Sequence, residues 1–235
     1  MRRVNWAVAA LVAVVLSACQ TMEQVPYDRA SAGNIKTINI VTPKAPDRPA
    51  VVLAATVGQS FGLIGALVDA GMQSNRESDF EAAMKTQNFA GNDAFMRHLD
   101  GALTSGGYTP AHYSVTREKQ GFLKAYPKGA DVQGDAHLDI VMYYGYIASG
   151  MATPYRPFVS VNAKLVRASD NALLMQKSVF YNPLNGAPEN TVTIAPDPAY
   201  EFADFDALTA DPAKAAKGLD TAIEQVATAM GTLLK

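Results

Sequence analysis

FVSVNAKLVR occupies residues 158–167, and its alternation decides the fold. Val159, Val161, Ala163 and Leu165 face one way, and Ser160, Asn162 and Lys164 the other. That period of two marks a strand with one face on a core. Ser169-Asp170-Asn171 follows as a turn, and Leu173–Tyr181 returns as a second strand, so the pair reads as a hairpin. Upstream, Leu138–Ile147 is almost continuously apolar, with Asp139 its only charge. Such a run suits a central strand covered on both faces.

Helical patterns flank these strands. Glu77–Lys85 reads as helical. Asn92-Asp93 looks like an N-cap, with Phe95, Met96, Leu99, Ala102 and Leu103 at helical spacing and Gly106-Gly107 as a stop. Near the end, Asp211-Pro212 places a capping carboxylate before a proline at the first helical position. Leu219, Ile223, Val226, Met230 and Leu233 then mark an amphipathic helix. Ile35–Thr42 and Tyr108–Thr116 are further strand candidates, and Pro43, Pro46 and Pro49 punctuate a loop. Lys119–Pro127 has no clear pattern. The expected fold is α+β: a mostly antiparallel sheet with helices packed on one face and a C-terminal amphipathic helix.

Ala50–Val68 is nineteen residues without a charge. Small residues recur at Ala55, Gly58, Gly62 and Gly65. A buried helix packed closely through those residues is the favoured reading. The alternatives are a buried strand over Val51–Val57 with a helix beginning near Gln59, and a membrane-inserting element.

The N-terminus has a different character. Arg2 and Arg3 precede Trp6–Leu16, eleven apolar positions, too few to span a bilayer. Leu16-Ser17-Ala18-Cys19 follows, and this segment resembles the lipobox of bacterial lipoproteins. The resemblance implies cleavage between Ala18 and Cys19, with lipid on the Cys19 sulfur and amino group. Several acyl chains on one residue give a stable membrane anchor, where one chain is marginal. Gln20, rather than Asp, after the cysteine implies the outer membrane, facing the periplasm. The domain plan expected is residues 1–18 as signal peptide, 19–34 as a lipidated flexible tether and 35–235 as a single periplasmic domain.

Composition narrows the chemistry. The chain has 235 residues, 49% of them hydrophobic, and a single cysteine, which excludes an internal disulfide framework and CxxC metal sites. Cleavage takes two of the 20 basic residues and none of the 22 acidic ones, so the formal charge goes from −2 to −4. A mildly acidic chain has no electrostatic case for binding nucleic acid.

Gly58-Gln59-Ser60-Phe61-Gly62 matches G-x-S-x-G, the turn that presents a nucleophilic serine in α/β-hydrolases. The histidine that should follow the acid late in the chain is missing, because His137 is the last one. His137-x-Asp139 puts two ligand-type side chains on one strand face, but two ligands do not hold zinc. The bland reading is a strand-end histidine and a half-buried aspartate. No catalytic set, metal site or cofactor is expected.

Two loops carry the residue types that anchor interfaces. Thr153-Pro154-Tyr155-Arg156-Pro157 combines stiff prolines with an aromatic and an arginine. The long loop 182–210 holds Tyr200, Phe202 and Phe205 among acidic neighbours. Tyr155, Arg156, Tyr200, Phe202 and Phe205 are the candidate partner-binding residues. The alternative is that they cover the end of the sheet.

The layout is similar to that of periplasmic lipoproteins of the curli-secretion type. The TPYRP segment and the proline-aromatic loop before the last helix resemble more closely uncharacterised proteobacterial outer-membrane lipoproteins. These resemblances carry no assigned activity; the lipobox, the tether, the single domain and the absence of a catalytic set lead to the expectation of a non-enzymatic domain that docks a protein partner in envelope assembly, secretion or transport. A carrier of lipid or another hydrophobic ligand and a serine hydrolase centred on Ser60 are the alternatives.

Overall fold

A computed structural model describes residues 22–46, 48–54, 71–117, 120–127, 134–150, 152–183 and 186–235, with the side chains of 71–75 excepted. The described residues form α1 (Arg29–Ala32), β1 (Thr37–Val41), β2 (Ala50–Leu53), α2 (Gly71–Lys85), α3 (Gly91–Ser105) and β3 (Thr109–Tyr113). β4 (Ala136–Ala148), β5 (Arg156–Arg167), β6 (Leu173–Tyr181) and β7 (Val192–Ile194) follow. A 3-10 turn (Pro198–Tyr200), α4 (Phe205–Ala210) and α5 (Pro212–Thr232) complete the fold.

The α+β class is as expected, and the hairpin is β5–β6, antiparallel. Its turn is made by Asn171 at φ 61, where asparagine is favoured because it tolerates the left-handed region. The sheet as a whole is mixed rather than mostly antiparallel. β4–β5 and β5–β6 are antiparallel, whereas β1–β3, β1–β4, β2–β4 and β6–β7 are parallel.

The reason lies in one edge of β4. β1 pairs with β4 at Ala136–Leu138, and β2 pairs with the same edge at Gly145–Ala148. The two are halves of one path, with Lys44 bridging to Val141 between them. Pro43, Pro46 and Pro49 sit in the gap, and a proline cannot donate to the ladder. The first four residues of the uncharged segment 50–68 are therefore strand, not helix. Its remaining residues from Ala55, with Ser60, lie outside the described ones.

One face of the sheet carries the helices. Leu138, Ile140, Met142, Tyr144 and Tyr146 of β4 and Val161, Ala163 and Leu165 of β5 point into this layer, all buried. Against them α5 sets Leu219, Ile223, Val226 and Met230, each fully buried. Burying such a side chain contributes about 1.5–3 kcal/mol. Asp211 caps α5 as expected, its carboxylate accepting from the Lys214 N–H at 3.0 Å. α3 starts two residues earlier than an N-cap at Asn92 would place it. Its N-cap is Ala90, which has no capping side chain, and Asp93 instead sits in the first turn, where a carboxylate suits the helix dipole.

The expected tether is not free from Met22 onward. Val25 pairs with Gln176 on the outer edge of β6 through hydrogen bonds of 2.7 and 2.9 Å. Arg167 donates to the carbonyls of Ser31 and Ala32, and Ala32 is buried in the main core. A two-residue bridge has no periodicity, so the sequence pattern did not reveal it. Residues 23–25 and 32 are thus already tied to the folded body, ahead of the expected start at 35.

Candidate functional site

The TPYRP segment and the aromatic loop meet. Tyr155 and Phe202 form an isolated antiparallel bridge, exchanging backbone hydrogen bonds of 2.7 and 3.0 Å. Next to it, Arg156 Nε lies 2.6 Å from Glu201 Oε1. Lys214 of α5 sits 4.5 Å from the Phe202 ring centroid and donates to the Glu201 carbonyl at 2.8 Å. Phe202 meets Tyr146 of β4 edge-on at 5.5 Å, and Tyr155 meets Phe205 at 6.3 Å. Arg76 of α2 lies 5.7 Å from the Phe205 ring centroid. The Tyr200 hydroxyl accepts from Thr221 at 3.3 Å.

The five candidate residues therefore share one junction, but they divide into two groups. Tyr155 and Phe202 are buried and close the end of the helix layer. Burial raises the Tyr155 pKa, which keeps its phenol neutral. Tyr200 and Phe205 are half-buried, and the Arg156 side chain is 42% exposed. Asp204 and Asp206 are exposed beside them. A buried aromatic clasp thus holds a charged surface on which Arg76, Arg156 and Lys214 stand among Glu201, Asp204 and Asp206. That arrangement suits ionic docking of a partner rather than an aromatic hot spot.

A second constellation lies on the sheet face opposite the helices. Asp139 and His137 share that face of β4, and both are fully buried, so the half-buried aspartate is corrected. Asp139 Oδ1 is 2.6 Å from Arg117 Nη1. Its Oδ2 accepts from the Leu123 N–H at 2.7 Å and from the Tyr126 hydroxyl at 2.8 Å. Tyr126 stacks on His137 at 5.7 Å with 15° between ring planes, and Lys164 lies 5.8 Å from the Tyr126 ring centroid. Burial, then the charge of Asp139, pushes the Tyr126 pKa upward, so the phenol stays a donor. One carboxylate thereby pins Arg117, Leu123 and Tyr126 onto the sheet. Sequence reading found Asp139 and His137 but not Arg117 or Tyr126, which lie in or beside the patternless stretch.

His137 Nε2 is 3.2 Å from the Pro127 carbonyl, and burial holds its pKa below the ordinary histidine value. The unfolded chain titrates near about 6.5. The unfolded state therefore takes up the proton first as pH falls. The stabilisation is complete above that value and is lost as pH drops below it toward the folded pKa. Among the described residues Tyr126 stacks on the ring, and Asp139, Arg117 and Lys164 are linked to it through that tyrosine. Urea midpoints should fall as the pH drops below about 6.5, and His137→Gln should flatten this part of the profile. An unchanged slope in the variant would show that other groups carry it.

The remaining histidines make surface pairs, His98 with Asp220 at 3.1 Å and His112 with Asp100 at 3.2 Å. Among the described residues no group of three or more His, Cys, Asp or Glu is placed to hold a metal ion. No helix among them is long and apolar enough to cross a membrane. Cys19, the Ala18–Cys19 cleavage point and Ser60 lie outside the described residues.

No protein-family model matches the chain, and no curated protein does. Among solved structures it is similar to a protein from Xanthomonas campestris described under the family model DUF330. The identity is 14% and the TM-score 0.44, over 90% of this chain and 89% of that one.

Proposed function

We propose that this chain is an outer-membrane lipoprotein whose periplasmic domain docks a protein partner in envelope assembly, secretion or transport, without catalysing a reaction. The observation that carries the proposal is Leu16-Ser17-Ala18-Cys19 directly after an eleven-residue apolar run, with the chain's single cysteine at the lipid-accepting position. The docking side chains are Asp204 and Asp206, which are exposed, with the half-buried pair Arg156 and Glu201 beside them. Tyr155 and Phe202 act beneath them by fixing the two backbones together.

With residues 1–18 replaced by an ordinary cleavable secretory signal peptide, Cys19→Ser should move the protein from the membrane fraction to the soluble periplasm, because the acyl chains are its attachment. A variant that stays with the membrane would overturn lipid anchoring. For docking, a photo-cross-linker at Asp204 in the lipidated protein should capture an envelope protein, and Arg156→Glu should weaken that capture. Recovery of no envelope protein, or capture unaffected by the charge reversal, would contradict the docking surface.

A further inference from the structure

Two separate segments cover the outer edge of β6. β7 runs parallel beside Val179–Tyr181, and Val25 pairs antiparallel with Gln176. In an antiparallel pair, moving back from Val25 toward the N-terminus means moving forward along β6. The side chains follow that course. Gln24 accepts from the Ser178 N–H at 2.9 Å and donates to the Ser178 hydroxyl at 3.2 Å. Gln176 in turn donates to the Glu23 carbonyl at 3.0 Å. The chain thus joins the domain where β6 meets β7, close to Lys177, whose ammonium holds the Asn190 carbonyl at 3.0 Å.

Only Gln20 and Thr21 lie between Cys19 and Met22, so three Cα–Cα steps join them. Whatever their conformation, they span at most about 11 Å. The headgroup layer on each side of a bilayer is about 5–8 Å thick. A lipid on Cys19 therefore leaves Met22 in the headgroups or just above them. The domain has no leash on which to swing.

We infer that the β6–β7 edge is the membrane-facing surface of this domain, resting on the headgroups of the bilayer that holds the Cys19 lipid. The inference rests on the lipid-anchor reading and adds an orientation to it. The edge suits contact with headgroups rather than insertion, since Gln176, Lys177, Asn190 and Thr193 are polar. The opposite edge, β3, lies five strand spacings away, about 24 Å across the sheet, and so stands clear of the surface.

The single tryptophan, Trp6, lies in the segment expected to be cleaved, so one introduced tryptophan reports alone in the mature chain. Thr193→Trp on β7 and Thr109→Trp on β3, both at exposed positions, are compared in phosphatidylethanolamine–phosphatidylglycerol vesicles containing a headgroup-nitroxide lipid. In one arm the protein keeps the lipid it acquires in the bacterium. In the other, the unlipidated mature chain is coupled through the Cys19 thiol to a maleimide lipid.

Quenching should be several-fold greater for Thr193→Trp than for Thr109→Trp in both arms. Inserting about fifteen Gly/Ser residues between Thr21 and Met22, with an average reach of about 20 Å, should erase the difference. Equal quenching without the insertion, or stronger quenching from β3, overturns the orientation. Asymmetry in the maleimide arm, with no lipidated protein obtained from cells, would uphold the geometry and reject the natural anchor.

Discussion

Asp139→Asn should cost about 3–5 kcal/mol of stability, the range for removing one partner of a buried ion pair. The side chain keeps its shape but loses its charge. Arg117, whose side chain is 4% exposed, would then stay buried without a counter-ion. The Leu123 N–H and the Tyr126 hydroxyl also lose their shared acceptor if the amide nitrogen takes the Oδ2 place. A domain is stable by only about 5–15 kcal/mol, so the urea midpoint should fall far. Arg117→Met with Asp139→Leu should recover much of the loss, because two apolar side chains leave no orphaned charge. A loss under about 1 kcal/mol for Asp139→Asn would mean that this carboxylate does not hold Arg117, Leu123 and Tyr126 down.

Gly145→Ala is the second large effect. Gly145 lies in β4 directly beside Ala50 of β2. A Cβ at Gly145 would collide with the Ala50 carbonyl oxygen and fall 2.7 Å from its carbonyl carbon. These are backbone atoms in a paired strand and cannot rotate away. β2 must shift off β4, uncovering Val51 and Val52, each 1% exposed in the native fold. Their burial contributes about 1.5–3 kcal/mol apiece, so a loss of at least about 3 kcal/mol is expected. Hydrogen exchange should show faster exchange at the amides of 50–53, with those of β5–β6 less affected. Wild-type stability in the alanine variant would contradict the close approach.

Local signals in the sequence were sufficient for some elements and blind to others. The alternation from Val159 to Leu165 placed the hairpin and its core face correctly, because period two is a property of the strand itself. Asp211-Pro212 located the start of α5, because capping is settled within one turn. The parallel pairing of β1 and β2 along one edge of β4 is a contact between distant segments, and no local pattern encodes it. β7 has three residues, and the Val25 bridge has fewer, so neither is long enough to show periodicity.

The candidate site divides along the same line. Tyr155, Arg156, Tyr200, Phe202 and Phe205 were picked by residue type, and they do lie together. Residue type could not tell a surface anchor from a core plug, and Tyr155 and Phe202 turn out to be buried. His137 and Asp139 were visible as a pair on one strand face. Their partners Arg117 and Tyr126 were not, because an ion pair between a strand and an irregular segment leaves no spacing to read.

The central claim is a lipid on Cys19. The most direct measurement is the mass of the N-terminal peptide of the protein isolated from bacterial membranes. Lipid anchoring requires that peptide to begin at Cys19 and to carry a diacylglyceryl group on sulfur and an acyl chain on nitrogen. An N-terminus at any other residue, or a free Cys19 thiol, would contradict it.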